Sequence, residues 1–156
     1  MSVTTGEPIA DFSLPATSEQ RVTLNELVGK RVVIYFYPKD NTSGCTTEGQ
    51  EFSALYREFE QHNCLIFGVS RESIRSHENF KAKYEFPFEL ISDPDETLCQ
   101  LFDVIKEKQN YGKTYMGIER STFLIDENGV LRQQWRKVKA AGHAAEVLQA
   151  VKALDS

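Results

Sequence analysis

The chain is short of cysteine, with three in 156 residues: Cys45, Cys64 and Cys99. Three is an odd number, too few for a disulfide scaffold, and none of the three forms a CxxC pair. No close Cys/His set has the spacing of a zinc site. Basic residues are outnumbered, 18 Lys and Arg against 23 Asp and Glu, for a net charge of -5. That balance argues against nucleic acid or an anionic membrane as the main partner, since both reward a basic surface. The N-terminal residues lack a basic stretch followed by an apolar run, so no signal peptide is expected. No apolar run is long enough to span a bilayer. Repeats, low-complexity tracts and linkers are absent. A single domain over 1–156 in a reducing cytoplasm is the expectation, with the cysteines kept as thiols.

What is present is ordinary globular composition, 40% hydrophobic and 26% charged. A domain of this size buries roughly two-thirds of its unfolded surface, enough for a core without staples. Arg31 to Tyr37 (RVVIYFY) is almost continuously apolar and predicts a strand buried on both faces. Thr23 to Glu26 has a capping-box pattern for a short helix that Gly29 can end. After the strand, Pro38 to Gly44 is a turn cluster. Cys45 to Gln61 then predicts one helix, with Phe52, Leu55, Tyr56 and Phe59 on one face. Cys64 to Val69 predicts a second buried strand, Ser73 to Tyr84 a helix and Phe88 to Ile91 a short extended run. Asp93-Pro94 predicts a cap and first helical residue of a helix running to Phe102. Thr122 to Ile125 and Val130 to Val138 predict a hairpin, and His143 to Leu154 a last helix. Such alternation predicts an α/β fold, a sheet flanked by helices. Periodicity alone leaves the thioredoxin and flavodoxin-like topologies both open.

Cys45 falls where a central strand ends, a polar loop turns and a helix begins. Ligand sites in α/β folds favour strand ends. Unpaired N–H groups and the positive end of a helix dipole favour a thiolate, which is the nucleophilic form. Gly44 permits close approach of a small ligand, and Thr42 and Ser43 supply hydroxyls. Read on local chemistry alone, a buried structural cysteine explains the position as well as a reactive one.

The wider pattern separates these readings. Pro38-Lys39-Asp40-Asn41-Thr42-Ser43-Gly44-Cys45 matches the peroxiredoxin signature PxxxTxxC at every fixed position. The run YFYPKDNTSGCTTE resembles the bacterioferritin-comigratory-protein, or peroxiredoxin Q, branch. So do DFSLPATSEQRVTLNEL upstream and GKTYMGIERSTFLID downstream. The resemblance implies a thioredoxin-like fold with a central mixed sheet flanked by helices. It implies thiol-dependent reduction of hydrogen peroxide and organic hydroperoxides, without metal or organic cofactor. By matching position, Cys45 becomes the peroxidatic cysteine and Thr42 the hydroxyl contacting thiolate and peroxide. Pro38 shields the site from water, and Arg120 is the active-site arginine. Arg120 can hold Cys45 ionised and donate to the peroxide oxygens as charge develops.

The chain departs from the branch at the resolving thiol. One usual position, five residues after Cys45, is Gln50; the helix that carries the other, Ser73 to Tyr84, has no cysteine. Cys64, opening an apolar strand, and Cys99, beside Leu98 and Phe102, read as structural. A one-cysteine cycle is therefore expected, resolved by thioredoxin, glutaredoxin or a low-molecular-weight thiol, in a monomer. The alternatives are a cycle with Cys99 resolving, or a redox-sensing binding protein. Arg132, Arg136, Lys137 and Lys139 read as solvated charge, or as a docking patch for the reductant. His62 and Cys64 are too few to make a metal site, and Asp93 to Glu96 fits a helix cap better than a calcium loop. Trp135 is expected against the sheet.

Overall fold

The computed structural model describes residues 3–155. Its centre is β3 (Arg31–Phe36), all six residues of which are buried. Two short strands precede it, β1 (Ser13–Pro15) and β2 (Arg21–Thr23), paired with each other. A 3-10 turn, Leu24–Leu27, follows β2. This is the short helix expected there, but Thr23 does not cap it: the Thr23 hydroxyl bonds Ser13 instead, at 2.8 Å. Next along the chain come α1 (Ser43–Ala54), α2 (Tyr56–Gln61), β4 (Cys64–Ser70) and α3 (Ile74–Tyr84). Then follow β5 (Glu89–Ser92), α4 (Thr97–Leu101), β6 (Ile105–Asn110) and β7 (Lys113–Ile118). The chain closes with β8 (Ser121–Ile125), β9 (Leu131–Trp135) and α5 (His143–Ala153).

The main sheet has the order β5-β4-β3-β8-β9. β3, β4 and β5 run parallel, and β8 and β9 are antiparallel additions. The strand period of two divides β3 between two cores. Val32, Ile34 and Phe36 enter one cluster with Phe102, Phe123, Ile125 and Leu98. Val33, Tyr35 and Tyr37 enter the other, with Phe52, Phe59, Phe80 and Val147 from α1, α2, α3 and α5. This is the mixed sheet flanked by helices that a thioredoxin-like fold requires. Among the described residues no helix is long and apolar enough to cross a membrane.

Several elements differ from expectation: β1 and β2 were not foreseen, and the strand expected over Val130 to Val138 spans only Leu131–Trp135. The helix expected over 45–61 breaks at Leu55 (φ -101°, ψ 3°), whose N–H turns to the Phe52 carbonyl at 3.2 Å. No proline or glycine marks that break. Pro94 does not open α4, which begins at Thr97; Asp93 still caps it from outside, accepting from Leu98 N (3.1 Å) and Cys99 N (2.7 Å). The β6–β7 hairpin was not foreseen. Its two-residue turn, Tyr111-Gly112, has positive φ at both positions, as tight hairpin turns need. The flanking strands are mostly exposed and lack the alternating apolar face by which a strand is recognised.

Candidate active site

The loop after β3 delivers Cys45 as the third residue of α1, 1% exposed. Thr42 is the N-cap in extended conformation, and its carbonyl accepts from Thr46 N at 2.9 Å. The Thr42 hydroxyl donates to the Lys39 carbonyl at 2.8 Å. Its proton is thus spent inside the loop and not on the sulfur, where the resemblance had placed a contact. The oxygen keeps lone pairs that can accept from a substrate.

Arg120 reaches Cys45 because of strand register. β8 pairs antiparallel with β3, Ser121 opposite Phe36, so the residue just before β8 lies beside the end of β3. Arg120 Nη2 donates to Cys45 Sγ at 3.3 Å, and Nη1 donates to Glu48 Oε1 at 2.6 Å. The guanidinium passes close over Gly44: a Cβ there would stand 3.1 Å from Nη2. Burial draws the Arg120 pKa down, but the opposing charges of Glu48 and Cys45 more than offset it, and the net shift is upward.

Glu48 was missed at the level of sequence. The signal was present: three residues after Cys45 on one helix, it must share the cysteine's face. Glu48 is fully buried, and its Oε2 has no hydrogen-bond partner among the described residues. Burial pushes its carboxyl up to about 7, against the pull of Arg120. The consequence for stability has a definite sign. Below pH ~4.5 both folded and unfolded chains hold this proton. Between ~4.5 and ~7 the unfolded chain loses it first, so stability falls as pH rises. Above ~7 the full cost stands, on the order of 3 kcal/mol. Glu48→Gln is expected to flatten this slope. Urea unfolding at pH 5 and pH 8 checks it, and parallel pH dependence in both proteins contradicts it.

Pro38 is half-buried and lines a cleft of about 400 Å³ with Arg120, Glu119, Lys106, Lys108 and Lys137. The unforeseen hairpin contributes both Lys106 and Lys108. Lys106 pairs with Asp103 at 3.1 Å. For Lys108, burial and then the Arg120 charge lower the ammonium pKa.

The other cysteines lie away from this site, and all three are free thiols. Cys64 is opposite Arg31, at the end of the sheet remote from Cys45. The parallel ladder between is about 16 Å long at the usual rise. Burial pushes the Cys64 thiol up to about 12. Cys99 is fully buried in the cluster on the opposite face of the sheet from Cys45. Burial first, then the Asp93 carboxylate, push its thiol well above the usual range. Gln50 is exposed on α1.

The remaining candidates are dispersed. His62 contacts Asp155, and no group of three or more metal-ligating side chains occurs among the described residues. His143 Nε2 lies 2.8 Å from the Thr122 hydroxyl, and its ring packs edge-on against Trp135. In the basic stretch, Arg132 pairs with Asp126, Arg136 stacks over Phe123, and only Lys137 and Val138 reach the Arg120 cleft.

With this geometry described, comparison with known proteins gives the family. Residues 5–134 match the model of the AhpC/TSA family. The chain belongs to that family and is a peroxiredoxin. It is 56% identical over 148 residues to peroxiredoxin Bcp of Xanthomonas campestris pv. campestris, covering 94% of this chain and 92% of the relative. A cysteine mutant of Xylella fastidiosa PrxQ superposes with a TM-score of 0.95 at 44% identity, over 100% of this chain and 99% of that one. The bacterioferritin comigratory protein of X. campestris, studied for alkyl peroxide reduction, superposes at 0.89 with 54% identity, over 93% and 92%. The peroxiredoxin described here is thus of the Bcp, or peroxiredoxin Q, kind and a thiol-dependent peroxidase with a thioredoxin fold.

Proposed function

We propose that this peroxiredoxin reduces hydrogen peroxide and organic hydroperoxides in a one-cysteine cycle centred on Cys45. The observation that carries the reading is the single guanidinium shared between Cys45 Sγ and buried Glu48. The guanidinium and the start of α1 both set positive charge against the attacking sulfur. The thiolate attacks one peroxide oxygen; an S–O bond forms as the O–O bond breaks. The leaving oxygen takes a proton and departs as alcohol or water, and Cys45 is left as a sulfenic acid. Arg120 stabilises the charge that develops on the leaving oxygen. Thr42, its proton held by Lys39, accepts a hydrogen bond from the incoming peroxide. Pro38 walls the cleft and, lacking an N–H, offers water no donor there.

An external thiol then displaces water from the sulfenic acid, giving a mixed disulfide, and a second thiol releases Cys45. Two facts support an external reductant: Cys99 faces the other side of the sheet, and Cys64 stands at its far end. A Cys99-resolved cycle would require large unfolding, because a disulfide needs Cα atoms within about 7 Å. Thioredoxin, glutaredoxin or a low-molecular-weight thiol fits this role. A sheet shared by two cores supports one domain over 1–156, read as a cytoplasmic monomer. Sedimentation at 17.8 kDa, the mass of one chain, checks the monomer.

Intact mass after one equivalent of hydrogen peroxide tests the cycle. The expected result is a gain of about 16 Da, mapped to Cys45. A loss of about 2 Da means an internal disulfide and overturns the one-cysteine reading.

A further inference from the structure

The mechanism leaves unused a fully buried histidine, His77 on α3. Its two ring nitrogens both face acceptors. Nε2 lies 3.0 Å from the Ile91 carbonyl, which can only accept, so Nε2 carries hydrogen. Nδ1 lies 2.7 Å from Asp40 Oδ2. Asp40 is surrounded by donors: the Tyr37 hydroxyl at 2.5 Å on Oδ1, and the Ser76 hydroxyl at 2.7 Å on Oδ2. Burial pushes the Asp40 carboxyl up, yet His77 foremost, with Tyr37 and Ser76, holds it below the usual carboxylate range. The Asp40 carboxyl and the Ile91 carbonyl thus hold the ring from both of its nitrogens. Among the described residues, Tyr37 just after β3 and Asp40 from the loop are the titratable side chains bonded to it; β5 presents a carbonyl.

Asp40 belongs to the loop that ends in Cys45, so this pair is a tie between α3 and the reacting sulfur. The next residue repeats the tie: Asn41, in left-handed conformation (φ 67°), accepts from Lys83 and Tyr84 of α3, both at 3.3 Å. The Thr42 hydroxyl, by contrast, bonds only within the loop. The side chains of Asp40 and Asn41 thus bond to α3 and to Tyr37 just after β3.

We infer that His77 and Asp40 are positioning residues for peroxide reduction: the buried His77 ring fixes Asp40, and through it the loop that aims Thr42 and Cys45. The inference rests on the reading of Cys45 as the peroxidatic residue. The physical ground is the steep dependence of a bimolecular attack on geometry, where a misplacement near 1 Å costs about a hundredfold.

The test measures the second-order rate of Cys45 oxidation by hydrogen peroxide, by quenched-flow mass spectrometry on the full chain. His77→Leu removes both ring nitrogens; His77→Asn keeps one polar group near the Nδ1 position. Iodoacetamide labelling of Cys64 and Cys99 runs alongside, since these buried thiols become reactive only if the fold loosens. The expected result is a loss of about tenfold to a hundredfold in His77→Leu. Partial recovery is expected in His77→Asn, with Cys64 and Cys99 protected in both. An unchanged rate overturns the inference. So does a rate loss matched by labelling of Cys64 and Cys99, which makes the role purely structural. Should His77→Leu not fold, Asp40→Asn, which keeps the size but weakens the bond to the His77 ring, is measured in the same way: a loss of about tenfold or more supports the pair, and an unchanged rate overturns it. Peroxidase activity retained in Cys45→Ser would instead strike the underlying reading and leave the His77–Asp40 geometry as it stands.

Discussion

Cys45→Ser is expected to abolish peroxidase turnover in a thiol-coupled assay, while Cys64→Ser and Cys99→Ser keep it. A serine hydroxyl at the same place stays protonated near neutrality, and its oxygen is a far weaker nucleophile than a thiolate. Arg120 cannot repair this, because hydrogen bonds at a helix start favour an anion without making one from an alcohol. The paired substitutions carry the weight of the experiment. Cys64 and Cys99 are buried thiols whose burial opposes ionisation. Loss of turnover in Cys99→Ser, in a folded chain, would assign it the resolving step and replace the one-cysteine cycle. Retained turnover in Cys45→Ser would remove the nucleophile from the α1 start altogether.

Arg120→Ala is expected to lower the second-order rate of Cys45 oxidation by about a hundredfold to a thousandfold, the usual cost of one lost donor to a developing oxyanion. Arg120→Lys is expected to recover little of it. The guanidinium bridges two acceptors, sulfur at 3.3 Å and carboxylate at 2.6 Å, with two nitrogens held in one plane. A lysine ammonium is a point donor and cannot span both in that geometry. Stability responds less than the rate does. Removing one partner of a buried pair usually costs about 3–5 kcal/mol, because a charge is stranded. Glu48, already pushed up to about 7, avoids most of that by keeping its proton. Stopped-flow oxidation and urea unfolding on one preparation separate the two effects. A variant within twofold of the wild-type rate would take Arg120 out of the reaction.

The central strand and the site cysteine were legible in the sequence for simple reasons. RVVIYFY has no polar interruption, and only a strand covered on both faces tolerates that. Cys45 was legible because the turn cluster before it and the helical period after it locate a helix start. Arg120 was not legible from local pattern. It stands 75 positions from Cys45, and only the β3–β8 register brings them together; the family resemblance supplied what spacing could not. Glu48 was overlooked although its i+3 spacing was in plain sight, because a glutamate in a helix normally faces water. The β6–β7 hairpin was invisible for the opposite reason: its strands are too polar to announce a buried face. The break at Leu55 has no signal in residue type, and the late start of α4 follows from Asp93 capping at a distance.

The division of β3 between two cores has a consequence for how the molecule opens. Neither side-chain layer can come away without uncovering a face of the same strand, so the β3 amides have no cheap local route to solvent. Their hydrogen exchange is expected to require disruption of the whole sheet. The β6–β7 hairpin pairs with no other strand among the described residues, and beyond its base, where Ile105 and Ile118 reach the core, it carries mostly exposed side chains. The amides toward its tip are expected to exchange early, by fluctuations that leave the sheet closed. The cleft beside Arg120 thus has one wall that breathes and one that does not. The strand leading to the reacting sulfur belongs to the wall that stays still.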